Sequence, residues 1–184
     1  MGSLCVALSC ARNPATGKRE LSLVSQKEEA AIGRQAAEEV RQTIGLYPDP
    51  KAQAYVAAIG KKLAAASERP DLAWSFEVVD DAAVNAFALP GGHIFVTRGI
   101  LAHLNSEAEL ASVLGHEIGH VTGKHSVKMI SRAKIAEAGL ALATVLSERA
   151  AQLSQIGVAG LQVLFLKYSR SAEYEADELG IRYA

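Results

Sequence analysis

The chain has 184 residues, 19 Lys and Arg against 20 Asp and Glu for a formal net charge of −1, and is 49% hydrophobic and 21% charged. That length carries one domain with a proper core, and the near-neutral charge supplies no basic field to recruit nucleic acid. Its two cysteines, Cys5 and Cys10, are too few and too close together for a disulfide framework or a four-ligand zinc ribbon.

The opening stretch "MGSLCVALSCARNP" is a short apolar run with small residues leading into Cys10. It fits the tail of a bacterial lipoprotein signal with Cys10 as the lipidated residue. Ala7 stands where leucine is usual and no basic segment precedes it, so a frayed terminus without function is the other reading. Residues 11–24 are polar and turn-rich, which assigns 1–24 as a tether and 25–184 as the folded domain.

Ser25 and Glu28 form a capping box that opens a helix to about Leu46, where "YPDP" stops it. Asp49 caps a second helix with Pro50 in its first position and Tyr55, Val56, Ile59 and Leu63 along one face. Residues 69–71 break the pattern. The alternation of "WSFEVVD" (74–80) predicts a half-buried strand, and "NAFALPGGHIFVT" (85–97) two strands joined at Pro90-Gly91-Gly92. A second capping box at 105–109 opens a helix reaching about Val121. Between Ile135 and Leu166 lie two apolar runs, Ala138–Leu146 and Ile156–Leu166, split by polar residues. A span needs ~20 consecutive apolar residues, so these are expected to be a buried or groove-lining helical pair. A last helix follows Lys167, with Ser171 as its cap. The fold class expected is α+β, mostly helical with one small sheet beside the helix that the second capping box opens.

That helix contains "GHEIGH" (115–120). Residues four apart lie on one helical face, so His116 and His120 can both reach one ion. Glu117, rotated away, can instead contact a water on the metal and take its proton. So short a motif arises by chance often enough that context must decide. Gly115 and Gly119 weaken the helix by ~1 kcal/mol each relative to Ala, which suits close packing of another element. The last helix offers Glu173 and Asp177, again four apart. A catalytic zinc with two histidines needs a third protein ligand and an open position. Glu173 can fill that role, and Asp177 can accept the free N–H of a ligand histidine. The plainer reading is that Glu173, Glu175, Asp177 and Glu178 are a solvated acidic face. Glu175 is on another face and is expected to matter little. His93, His103 and His125 are expected to make ordinary hydrogen bonds, His125 pointing off the metal face.

Together, "LASVLGHEIGHVTGKHS" and "SRSAEYEAD" resemble the HtpX, BepA and CaaX prenyl-protease family of gluzincin metallopeptidases, whose pattern is HExxH followed by ExxxD. "VNAFALPGGHIFVTRGIL" is similar to that family's strand pair, and "NPATGKRELSLVSQKEE" to the mature start of its bacterial lipoprotein members. The resemblance implies a zincin-like domain holding one Zn2+ per chain through His116, His120 and Glu173. Glu117 would be the general base, and Asp177 the outer carboxylate on His116. Asn85, Ala86 and Phe87 would bind extended peptide by edge pairing. It further implies an endopeptidase of unfolded or misassembled envelope proteins, periplasmic, touching a membrane only through a lipid at Cys10. A metal-bound but catalytically silent assembly factor that grips client polypeptides is the alternative. Family domains continue past ExxxD and supply a basic residue near the oxyanion, so the resemblance implies that the domain runs on beyond Ala184. Arg170 and Arg182 are the substitutes within reach.

Overall fold

The computed structural model describes residues 10–146 and 168–184. In chain order these form β1 (Cys10–Arg12), β2 (Arg19–Leu21), α1 (Gln26–Thr43), α2 (Pro50–Ala65), β3 (Ser75–Val79) and β4 (Ala86–Leu89). A 3-10 turn at Pro90–Gly92 leads into β5 (His93–Thr97), α3 (Arg98–Leu101), α4 (Glu107–Thr122), α5 (His125–Leu146) and α6 (Arg170–Tyr183).

Local chemistry sets most of these boundaries. Ser25 Oγ accepts the Glu28 N–H at 3.2 Å, while Glu28 Oε2 accepts the Ser25 N–H at 2.8 Å, and so α1 begins with two of its otherwise orphaned donors satisfied. It ends at Thr43, short of the expected Leu46, because Gly45 turns to φ 85° and Leu46 pairs with Val79. Asp49 Oδ1 accepts from Lys51 and Ala52 to start α2. The cap of α6 is Ser169, whose Oγ accepts the Ala172 N–H at 3.3 Å, and not Ser171. Residues 10–21, expected to belong to a tether, instead hold an antiparallel hairpin, β1 on β2. Ala138–Leu146 completes α5, whereas the second apolar run, 156–166, lies outside the described residues.

The three-stranded sheet has the order β3-β5-β4, with β5 parallel to β3 and antiparallel to β4. Gly91 and Gly92, at φ 79° and 99°, make the β4–β5 reversal that L side chains rarely adopt. Every residue of β5 is buried, as befits a strand covered on both faces. Ile94 and Val96 point to one core with Val56, Leu63, Leu110, Leu114 and Ile118, from α2 and α4. Phe95 points to the other, with Ala36, Ala37 and Val40 of α1 and Val127 and Ile130 of α5. The result is a helix–sheet–helix sandwich, α+β as expected, in which α4 lies against edge strand β4. Burying a Leu114 or Ile118 is worth roughly 1.5–3 kcal/mol.

One ion pair is sealed inside. Arg69 donates to Glu29 Oε1 and Oε2 at 2.8 and 2.9 Å and to the Val121 carbonyl at 3.0 Å. It thereby ties α1 to the last turn of α4. Among the described residues no helix is long and apolar enough to cross a membrane.

Candidate metal centre

The apolar stripe Leu110, Leu114, Ile118 and Val121 fixes the rotation of α4 against the core. That rotation turns His116 and His120 together toward α6, with their Nε2 atoms 3.0 Å apart. The glycines beside them allow the second helix in. A Cβ at Gly119 would meet the Ala176 carbonyl oxygen at 2.6 Å, and one at Gly115 would meet that of Gly180 at 2.8 Å. The backbones of α4 and α6 are thus in contact, as the glycine pair suggested, and Glu173 and Asp177 arrive at the histidines. Glu173 Oε2 stands 3.4 Å from His116 Nε2 and 3.7 Å from His120 Nε2. Asp177 Oδ1 stands 2.8 Å from His116 Nδ1.

The three donor atoms, from His116, His120 and Glu173, lie within 4.8 Å of one another. Ligands at corners of a tetrahedral zinc with bonds of ~2.0–2.1 Å are about 3.3–3.4 Å apart. The observed 3.0, 3.4 and 3.7 Å bracket that value. The chemistry of the donors agrees. With its Nδ1–H given to Asp177, His116 presents a bare Nε2 to the same point as the Glu173 carboxylate, a donor set that matches a divalent cation. Burial, with the nearby His116 and His125 rings, pushes His120 down to about 3. It is therefore neutral at physiological pH, as a metal-ligating imidazole must be.

Glu117 is 8% exposed, beneath β4 and beside the donors. Burial pushes its carboxyl up to about 7; the nearby His116 and a hydrogen bond from the Ala88 backbone pull it down, while Glu173 pushes it further up. Such a group can exchange a proton near neutral pH. Residues 85–88 form the other wall of this pocket. Asn85 spends its carbonyl on the Thr97 N–H at 3.0 Å. By the alternation of an antiparallel ladder, Ala86 and Ala88 then turn their backbone groups outward, and that of Ala88 is used on Glu117. Phe87 turns away from the pocket chemistry, its ring stacking on Phe95 at 5.4 Å. Arg182 pairs with Glu68 at 3.1 Å, and neither it nor Arg170 lines the pocket.

Three residues go beyond the sequence reading. Tyr168 stacks on the His120 ring, centroids 4.1 Å apart and 20° from parallel, and its hydroxyl meets Ser126 Oγ at 2.6 Å. Burial pushes that hydroxyl up to about 12, so it keeps its proton. His125 is no member of the donor set, but it does not point away: its Nδ1 lies 2.8 Å from His120 Nδ1. Glu175, expected to matter little, meets His125 Nε2 at 3.1 Å. Burial alone would raise its carboxyl, but hydrogen bonds from Lys18 and His125 and the charge of Lys128 hold it down at about 2. An aromatic residue just before a cap and a histidine just after a helix end carry no periodic signal, which is why they were missed.

Comparison with known proteins places the chain among metallopeptidases. Mitochondrial metalloendopeptidase OMA1 of Schizosaccharomyces pombe is 33% identical over 171 residues, 91% of this chain and 50% of that protein. The putative beta-barrel assembly-enhancing protease of Vibrio cholerae is 30% identical over 97% of this chain and 40% of its own length. The beta-barrel assembly-enhancing protease of Yersinia pestis is 29% identical over 92% of the chain and 36% of its own. The chain thus spans half or less of the length of these curated relatives. The profile of peptidase family M48 matches residues 50–184, which include both the histidine pair on α4 and the carboxylates on α6, and the chain belongs to that family.

Proposed function

We propose that this chain is the catalytic part of a zinc-dependent metalloendopeptidase. The observation that carries the reading is the convergence of His116, His120 and Glu173 on one point with the buried carboxylate of Glu117 beside it. In this reading His116, His120 and Glu173 hold one Zn2+ per chain, and Asp177 orients His116. A zinc held there would supply polarisation of a carbonyl and a water acidified to a pKa near 7. Glu117, buried under β4 beside the donors, is placed to accept a proton from an attacking water and return it to the departing amine. Extended polypeptide adds to the outer edge of β4 along Asn85, Ala86 and Phe87. The outward N–H and C=O of Ala86 supply the pairing, which needs backbone and no particular side chain.

Edge pairing of this kind requires a locally unfolded substrate. With relatives named for assembly of beta-barrels, this supports unfolded or misassembled cell-envelope proteins as substrates. The same reading puts the protein on the periplasmic side of a bacterial envelope, with a lipid on Cys10 as its tie to a membrane.

The test joins metal analysis to digestion of a disordered substrate such as casein. The parent protein holds one equivalent of zinc and digests; Glu117→Gln holds the same zinc and is slower by about 10²–10⁴-fold. Zinc well below one equivalent would overturn the site. Full zinc with no digestion by the parent would favour a metal-bound factor that grips its clients without cutting them.

A further inference from the structure

His116 and His120 are held by different means. Asp177 touches His116 directly, whereas among the described residues no carboxylate meets His120 Nδ1; its neighbour there is another imidazole, His125. We infer that Glu175 and His125 act as a carboxylate–imidazole relay that fixes the tautomer and ring orientation of His120, an inference that rests on the metal reading above.

The hydrogens can be placed one by one. For His120 to aim a lone pair at the point shared with His116 Nε2 and Glu173, its single N–H must sit on Nδ1. Across 2.8 Å, His125 Nδ1 accepts it. The hydrogen of His125 then sits on Nε2 and is donated to Glu175 Oε1 at 3.1 Å. A carboxylate can only accept, so the chain of donors ends there. Glu175 is supplied from outside by Lys18 at 2.5 Å and Lys128 at 3.4 Å. The reverse arrangement fails at both ends. It would aim an N–H of His120 at the point where a cation would be held, and set a bare His125 nitrogen against an anionic oxygen.

Burial makes the direction consequential. His120 and His125 are each 3% exposed, so bulk water does not stand in for a lost partner, and an unmade bond leaves a buried polar group unsatisfied. Tyr168 fixes the plane of the His120 ring by stacking, and the relay then selects which nitrogen carries the hydrogen. Groups in this outer position are typically worth 10–100-fold in metal affinity. His125 and Glu175 are positioning residues, since neither reaches the donor point. Through Lys18, the relay also reaches the β1–β2 hairpin.

The experiment measures zinc affinity in the full chain by chelator competition, with the visible spectrum of the Co2+-loaded protein as a second readout. His125→Phe keeps the ring volume and loses the acceptor; it is expected to weaken zinc about 10–100-fold and shift the Co2+ bands. His125→Gln, whose carbonyl can accept and whose amide can donate, recovers most of the affinity. Glu175→Leu weakens zinc by about tenfold alone and adds nothing in the His125→Phe background. It stands nearer the surface and carries the test if His125→Phe does not fold. Parent-like affinity and spectrum in His125→Phe or in Glu175→Leu would overturn the relay while leaving the metal site intact. So would a Glu175→Leu loss that persists undiminished in the double variant. A parent chain that binds no zinc would sink both.

Discussion

Two polar clusters meet the same helix, and they answer opposite questions. At the last turn of α4, Arg69 gives its donors to both oxygens of Glu29 and to the Val121 carbonyl, donors meeting acceptors throughout. Beside it, His116 and His120 turn Nε2 toward Nε2 at 3.0 Å with a carboxylate alongside, acceptors meeting acceptors once both Nδ1 atoms carry hydrogen. Among the described residues no buried side-chain polar atom lacks a neighbour within hydrogen-bonding range. Unsatisfied atoms therefore do not tell the clusters apart. The kind of partner does: one set is complementary, and the other, all of one polarity, suits a cation.

The contrast breaks cleanly if the assignment is right. His120→Ala is expected to abolish stoichiometric zinc, and peptidase activity with it, because removing one of three ligands destroys the geometry. Metal analysis of the folded variant checks this, and retained zinc would contradict it. Arg69→Ala does the reverse. It strands Glu29 and the Val121 carbonyl and costs about 3–5 kcal/mol of stability in urea melts, while the protein that remains folded binds zinc like the parent. A loss of zinc affinity there would mean the two clusters are one.

Glu117 sharpens the comparison through pH. Its carboxyl stands at about 7 in the folded protein against the ordinary 4.5, so between those values the unfolded chain releases a proton that the folded chain keeps. The stability of the metal-free protein accordingly falls as pH rises from about 4.5 to about 7, by up to about 3 kcal/mol. Glu117→Gln has nothing to ionise and lacks that component. Melts of both in chelator at the two ends of the range read out the difference; identical pH dependence would remove Glu117 from the buried site. The smallest effect belongs to Asp177→Ala, which weakens zinc by about 10–100-fold without abolishing it. Calorimetric titration decides, and unchanged affinity would show that the 2.8 Å contact with His116 is incidental.

The donor set was legible because both of its halves obey helical spacing, His116 with His120 and Glu173 with Asp177. The capping box of Ser25 and Glu28 and the strand pair were legible too, since each is written in a few adjacent residues; at the second box Glu109 takes the Asn105 N–H in place of that of Ser106. The surroundings of His120 were not. Lys124 takes φ 55° directly after Gly123, so α5 starts at once and folds His125 back onto α4. No period crosses such a corner. Glu175 was misjudged because a helix in contact on two sides has two working faces, and the sequence displays only the one that matches a motif. Ser171 was the expected cap, and Ser169 takes that place because its Oγ has the Ala172 N–H in range at 3.3 Å. The parallel pairing of β3 with β5 joins strands that are not neighbours in sequence, and so the order of the sheet could not be read from its hairpin.

The contact between the backbones of α4 and α6 has a mechanical side. Gly115, Gly119 and Gly180 lock the two helices by main-chain packing, so the spacing of the donors on the two helices is set by the chain itself. On the proposed reading, a cation would be taken up and released without the helices having to part.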